Sequence, residues 1–257
     1  MHHHNTQINP IFRKGSNQAA VLLIHGFTGT PDCLRYVANY LHSLSFTVSA
    51  PLLPGHGSTR EKLAKTDWKE WYQTVKQAYS DLKKDYARIY VVGLSLGGLL
   101  SLKLAQDYPD NIHAMACLAT PTKLNKWAEK LLPIITNTPL KYMYRYQKKL
   151  EPDVKDPHAR INFYDIDHMP ISCIQSIIKL QKLVRTDMSK ITCPTLLMHS
   201  RYDSTAPFES MNDIAKNISA THTETVALEN SFHLISIDYE KDLVCEKIGD
   251  FFVRFRE

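Results

Sequence analysis

Glycine is scarce in this chain: nine in 257 residues, about half the usual frequency. That excludes a flexible Gly-rich architecture, and it means that each glycine marks a tight turn or a close backbone approach. Cysteine is sparse too. The five present, Cys33, Cys117, Cys173, Cys193 and Cys245, are odd in number, far apart and never spaced as CxxC. This argues against a disulfide framework and against a cysteine-rich zinc site. Free thiols suit a reducing compartment, so a cytoplasmic location is expected. No stretch approaches the roughly 18 uninterrupted apolar residues of a transmembrane helix. No dense Lys/Arg block is present either: 31 Lys+Arg against 26 Asp+Glu leave a net charge of +5, and nucleic acid is not an expected partner. Residues 1–10 are polar and lack the apolar centre of a secretory signal. His2, His3 and His4 are set aside as site candidates. A composition of 44% hydrophobic and 22% charged residues is that of a soluble globular protein.

Seven of the nine glycines fall in three short stretches: Gly26 and Gly29, Gly55 and Gly57, then Gly93, Gly97 and Gly98. Two of these follow apolar, β-branched runs, Val21-Leu22-Leu23-Ile24 and Ile89-Tyr90-Val91-Val92, which read as buried parallel strands. Thr30-Pro31 reads as an N-cap and first-turn proline for a helix to about Ser43. Asp67 and Glu70 have the spacing of a capping box for a helix to about Lys84. The leucine-rich stretch after Gly98 predicts a helix that Pro109 ends. Further strands are expected at Phe46 to Ala50, Ala114 to Ala119, Thr195 to His199 and Thr223 to Leu228, and a last helix from about Glu240 to Phe255. This alternation predicts an α/β fold, a mostly parallel central sheet with helices on both faces.

Residues 121–187 break the rhythm. They show helical patterns and no convincing strand, and they carry six prolines (Pro121, Pro133, Pro139, Pro152, Pro157, Pro170) and the tyrosines Tyr142, Tyr144 and Tyr146. The expectation is a core of residues 1–120 and 188–257, with 121–187 as a short helical cap insertion over the sheet's C-terminal edge, where α/β proteins bind ligands. The Leu131, Leu132, Ile134, Ile135 run would supply apolar surface to such a cap.

Gly93-Leu94-Ser95-Leu96-Gly97 matches G-x-S-x-G between an apolar strand and a helix. A serine there occupies a sharp, strained turn, and the flanking glycines remove side chains that would collide. A serine hydroxyl is a weak nucleophile and needs a base, itself held by an acid. Asp203 follows the strand ending at His199, and His233 follows the next one, so both belong at the same sheet edge as Ser95. His222 precedes its strand, His199 comes too early to be the base, and Asp187 and Asp213 look helical or linker-like. His56 reads as organising its turn. Asp165, Asp167 and His168 are too few and too local for a metal site. The oxyanion requirement is met by backbone N–H groups, expected from Leu96 and from the loop His25-Gly26-Phe27-Thr28-Gly29, at Phe27.

These motifs, with Pro54-Gly55-His56-Gly57 and His233-Leu234-Ile235-Ser236-Ile237-Asp238, resemble the α/β-hydrolase superfamily over nearly the full chain. Within it, the sequence looks most like small bacterial carboxylesterases and monoacylglycerol lipases. The resemblance implies the α/β-hydrolase fold, a Ser95-Asp203-His233 catalytic triad, an oxyanion hole at Phe27 and Leu96, a small-molecule acyl ester as substrate, and neither metal nor organic cofactor. Two positions depart from the branch's commoner pattern. Asp203-Ser204-Thr205-Ala206-Pro207 is polar where apolar residues are usual, and Phe232 stands before the histidine, where it would narrow the pocket.

Overall fold

The computed structural model describes residues 8–123, 138, 145–148 and 152–256. Its strands are β1 (Ile11–Arg13), β2 (Ala19–Ile24), β3 (Thr47–Ala50), β4 (Arg88–Leu94), β5 (Ala114–Leu118), β6 (Tyr146–Lys148), β7 (His168–Pro170), β8 (Thr195–Ser200) and β9 (Thr223–Leu228). Its helices are α1 (Arg35–Ser43), α2 (Arg60–Leu63), α3 (Trp68–Asp85), α4 (Leu96–Asp107), α5 (Pro157–Asn162), α6 (Ile171–Thr186), α7 (Glu209–Asn217) and α8 (Lys241–Arg254).

The apolar runs of β2 and β4 lie side by side inside a seven-stranded sheet of order β1-β3-β2-β4-β5-β8-β9. Only β1 is antiparallel, against β3; every other pairing in this sheet is parallel. Side chains alternate between sheet faces with period two, so β2 feeds two cores. Ala20, Leu22 and Ile24 join Trp71 and Leu82 of α3, Leu99 of α4 and Leu180 of α6. Ala19, Val21 and Leu23 join Leu41 of α1 and Phe251 and Phe252 of α8. Each fully buried phenylalanine of α8 contributes about 1.5–3 kcal/mol of transfer free energy. Strands buried on both faces need apolar residues at every position, which is why β2 shows no polar alternation.

Local signals end the elements largely where the residues place them. The Asp67 carboxylate accepts from the N–H groups of Lys69 and Glu70, and the Glu70 side chain accepts from the Asp67 N–H, completing a capping box on α3. Thr30 caps a 3-10 turn, Pro31–Leu34, and α1 begins only at Arg35, later than the sequence suggests. The Cys33 N–H bonds back to the Thr30 carbonyl at 3.2 Å, and this tighter pitch forms the entry turn. The expectation of no strand in 121–187 is corrected by β6 and β7, which pair antiparallel. Three-residue strands are too short to leave a periodic signal, and the edge strand β1 escaped for the same reason. Tyr146 lies in β6 under the Arg60 guanidinium, 5.0 Å from its ring centre. Tyr142, Tyr144, Pro133, Pro139 and the Leu131, Leu132, Ile134, Ile135 run lie outside the described residues.

Because β2, β4, β8 and β9 are parallel, their C-terminal ends share one edge. The His25–Gly29 loop, Ser95, Asp203 and the 229–233 loop all emerge there.

Candidate active site

Ser95 joins β4 to α4 with φ 54° and ψ −113°, a left-handed conformation that costs a non-glycine residue about 1–3 kcal/mol. Three constraints hold it. The Ser95 N–H donates to the Leu118 carbonyl at 2.8 Å, the Ser95 carbonyl accepts from the Gly98 N–H at 2.9 Å, and glycines admit the neighbouring backbone. A Cβ on Gly97 would overlap the Ile24 carbonyl, one on Gly93 the Gly97 carbonyl, and one on Gly98 the Thr120 hydroxyl. Gly97→Ala is therefore expected to lower the melting temperature by about 5 °C or more, as overpacking costs of about 1–3 kcal/mol imply. Gly26→Ala, whose Cβ would meet nothing closer than 3.5 Å, is expected to melt close to wild type. A thermal melt of the two variants checks the contrast.

The candidate acid, Asp203, follows β8 and the candidate base, His233, follows β9. His233 Nε2 lies 2.9 Å from Ser95 Oγ, and Nδ1 lies 2.8 Å from Asp203 Oδ2. The Asp203 side chain has no solvent exposure and that of His233 little, while Ser95 is half-buried. Burial alone would raise the Asp203 carboxyl. The charge of His233 and the N–H donors of His199 and His233 outweigh it and hold the carboxyl well below the usual carboxylate range. With Asp203 ionised, His233 Nδ1 carries the proton, which leaves Nε2 as the acceptor for the Ser95 hydroxyl.

His199 is the member that sequence reasoning missed. Passed over as a base because it ends β8, it is buried with Nε2 3.0 Å from Asp203 Oδ2 and 3.2 Å from the Ala206 carbonyl. Both neighbours are acceptors, so Nε2 is the protonated nitrogen. Asp203 thus takes one N–H from each histidine at Oδ2, while Oδ1 accepts the backbone N–H groups of Thr205 at 2.9 Å and Ala206 at 2.7 Å. The available signal was a histidine at the strand end that also carries the acid, four residues before it.

The glycine-bearing loop after β2 borders Ser95: a Cβ on Gly26 would stand 3.6 Å from the Ser95 Cβ. His25 is buried between this loop and the next, its Nδ1 donating to the Gly26 carbonyl at 2.9 Å and its Nε2 accepting the Leu53 N–H at 3.1 Å. Burial, then the charge of His56, lowers its pKa to about 3, so it is a neutral strut. His56 sits edge-on to Phe27, His25 and Trp71, with Nδ1 3.1 Å from the Pro54 carbonyl. Burial lowers its pKa to about 4. Leu96, first residue of α4, has an N–H without an intrahelical partner, at the positive end of the helix dipole.

The remaining candidates lie elsewhere. His222 Nε2 is 3.1 Å from Glu224, Asp187 pairs with Lys190, and Asp213 takes the Thr122 hydroxyl and Lys123. Asp167 and His168 pair with each other at 2.9 Å. Among the described residues no group of three or more His, Cys, Asp or Glu side chains could hold a metal ion, and no helix is long and apolar enough to cross a membrane.

Residues 15–240 match the Hydrolase_4 family model, described as serine aminopeptidase, S33. The chain is 31% identical to the thermostable monoacylglycerol lipase of Bacillus sp. (strain H-257), covering 95% of this chain and 94% of that protein. It is 30% identical to a carboxylesterase of Bacillus subtilis (strain 168), covering 94% and 95%. A solved structure described with LipS and LipT, two metagenome-derived lipolytic enzymes, superposes with a TM-score of 0.87 at 24% identity over 97% of both chains. The Paleococcus ferrophilus monoacylglycerol lipase superposes with a TM-score of 0.81 at 16% identity, over 97% of this chain and all of that one. At those identities the two superpositions speak for the α/β-hydrolase fold alone.

Proposed function

The chain belongs to the Hydrolase_4 family, and from that footing we propose that it is a cofactor-independent serine carboxylesterase acting on short- to medium-chain acyl esters. The observation that carries this reading is the unbroken line of hydrogen bonds from Ser95 Oγ through His233 to a buried, ionised Asp203. Ser95 Oγ attacks the ester carbonyl while His233 Nε2 takes its proton, and Asp203 stabilises the resulting imidazolium. The N–H groups of Phe27 and Leu96 hold the negative charge that forms on the carbonyl oxygen. As fixed donors they need no reorganisation when it appears. His233 then returns the proton to the departing alcohol, leaving Ser95 acylated. A water, deprotonated by the same nitrogen, attacks the acyl-enzyme, and the acid leaves as the proton returns to Ser95.

In this proposal residues 121–187 form the wall of the acyl site. Support comes from Phe163, whose ring would lie 3.5 Å from a Cβ on Gly29, and from the Ile166 N–H, 3.3 Å from the Thr28 carbonyl. Both put this stretch against the loop that carries Phe27. A cytoplasmic location belongs to the proposal too, supported by five cysteines that are all free and buried.

The 31% identity to a monoacylglycerol lipase favours a second reading, the same chemistry on a glyceride. Hydrolysis of p-nitrophenyl esters from about two to sixteen carbons, beside monoacylglycerols of the same chain lengths, separates the two. The esterase reading expects a maximum at about eight carbons or fewer. A maximum at long chains, with monoacylglycerols preferred and the rate rising above the critical micelle concentration, would transfer the assignment to the lipase.

A further inference from the structure

Asp203 and His233 sit on loops from different strands, and each loop needs something to set its distance from the other. A single stretch between β6 and α5 bonds to both. The Asp153 carboxylate accepts from the Ser204 N–H at 3.1 Å, the Ser204 hydroxyl at 2.8 Å and the Thr205 hydroxyl at 2.8 Å. Thr205 donates its own N–H to Asp203, so one residue separates Asp153 from the acid. The Asp153 carbonyl, meanwhile, accepts the Leu234 N–H at 3.1 Å, immediately after His233.

The residue on the other side of His233 is held through Asp238. This carboxylate, fully buried, accepts four backbone N–H groups: Phe232 and Lys155 at 2.8 Å on Oδ2, Asp156 at 2.9 Å and Tyr239 at 2.8 Å on Oδ1. Two of these donors belong to the same 153–156 stretch. Charge-assisted bonds of this kind are roughly twice as strong as neutral ones. The stretch is itself anchored, for Val154 is fully buried in the cluster with Leu228, Leu234 and Ile235, and Arg160 donates twice to the Val154 carbonyl. Lys155 Nζ adds a bond to Asn230 at 2.6 Å.

We propose that Asp153 and Asp238 are positioning residues that use the 153–156 stretch as a strut, holding the Asp203 loop and the His233 loop in the register in which the two side chains meet. The inference rests on the Ser95-His233-Asp203 reading and assigns to the stretch between β5 and β8 a part in alignment as well as in walling the site. A hydrogen bond lost at this strut lets the acid loop drift, and a misplacement of about 1 Å is enough to cost catalysis heavily.

The test is Asp153→Ala, alone and in the Asp203→Asn background, with p-nitrophenyl acetate, a substrate too small to need an acyl wall. Expected for the single variant is a kcat about tenfold lower with KM unchanged, measured well below the melting temperature. In the Asp203→Asn background the same substitution is expected to cost less than about twofold, because the acid no longer orients the histidine and its position has ceased to matter. A merely stabilising bond would instead lower the melting temperature and leave kcat alone, or multiply kcat by the same factor in both backgrounds. Either result overturns the proposal. If Asp153→Ala is insoluble, Ser204→Ala with Thr205→Val removes the two hydroxyl donors from exposed positions, and the same cycle decides, with about threefold expected. Ser95→Ala measured alongside separates the two levels: activity surviving there would strike the triad reading itself, whatever the strut does.

Discussion

Ser95→Ala is expected to remove ester hydrolysis, lowering kcat by about a million-fold, with far-UV circular dichroism unchanged. In the proposed mechanism the hydroxyl both attacks and gives its proton to His233 Nε2, 2.9 Å away. Substituting it leaves the elbow's backbone bonds to Leu118 and Gly98 intact. The melting temperature of this variant is expected within about 2 °C of wild type. Ser95→Gly sharpens the prediction. At φ 54° a glycine avoids the strain that serine and alanine both bear, so this variant is expected to be equally inactive and to melt higher than Ser95→Ala, by about 1 kcal/mol in stability. Appreciable turnover by either variant would remove Ser95 from the nucleophile's role. Equal melting temperatures would remove the strain argument.

Asp203→Asn carries the second large effect, an expected loss of about 10,000-fold in kcat, and the structure says which way the amide turns. The Oδ1 position faces two backbone donors, the N–H groups of Thr205 and Ala206, so the asparagine oxygen must occupy it. The NH₂ then points at His233 Nδ1 and His199 Nε2. His233 is forced to place its proton on Nε2, where it can no longer accept from Ser95. His199, which would face a donor with its own N–H, must change tautomer or move.

The pH behaviour follows from the sign of the Asp203 shift. Its folded pKa lies below the unfolded value of about 3.9. Its contribution to stability is therefore complete above that value and lost only as pH falls through the lower folded one. Asp203 is thus expected to remain a carboxylate from about pH 6 to pH 9, and an infrared titration of wild type minus Asp203→Asn checks it. A protonated-acid carbonyl band appearing within that window would mean that Asp203 titrates there. His199→Ala, which leaves the His233 bond in place and removes one charge-assisted donor of about 1.5–3 kcal/mol, is expected to lower kcat only about tenfold.

Much of this was legible in the residues. Apolar runs of uniform character announced β2 and β4, because a strand covered on both faces has no solvent side to mark with polar residues. The Asp67–Glu70 spacing announced the start of α3, because a capping box is local chemistry. Ser95, Asp203 and His233 were identifiable as candidates because each follows a strand, and parallel strands deliver their C-terminal ends to one edge. What was illegible was either very short, like β1, β6 and β7, or long-range. His199 looked like a strand residue in the wrong place, since nothing local says that its ring turns toward Asp203.

The sequence by itself determined the layered α/β architecture, the strained turn at Ser95 and the edge at which Ser95, Asp203 and His233 gather. All of these follow from periodicity, glycine placement and chain order within a few residues. Only the tertiary structure decided that Asp203 is shared by two histidines, and that Asp153 reaches a loop 51 residues away while Asp238 reaches back 83 residues to Lys155. Those bonds depend on where whole strands and loops come to rest against each other. Packing sets that placement, and no spacing along the chain records it.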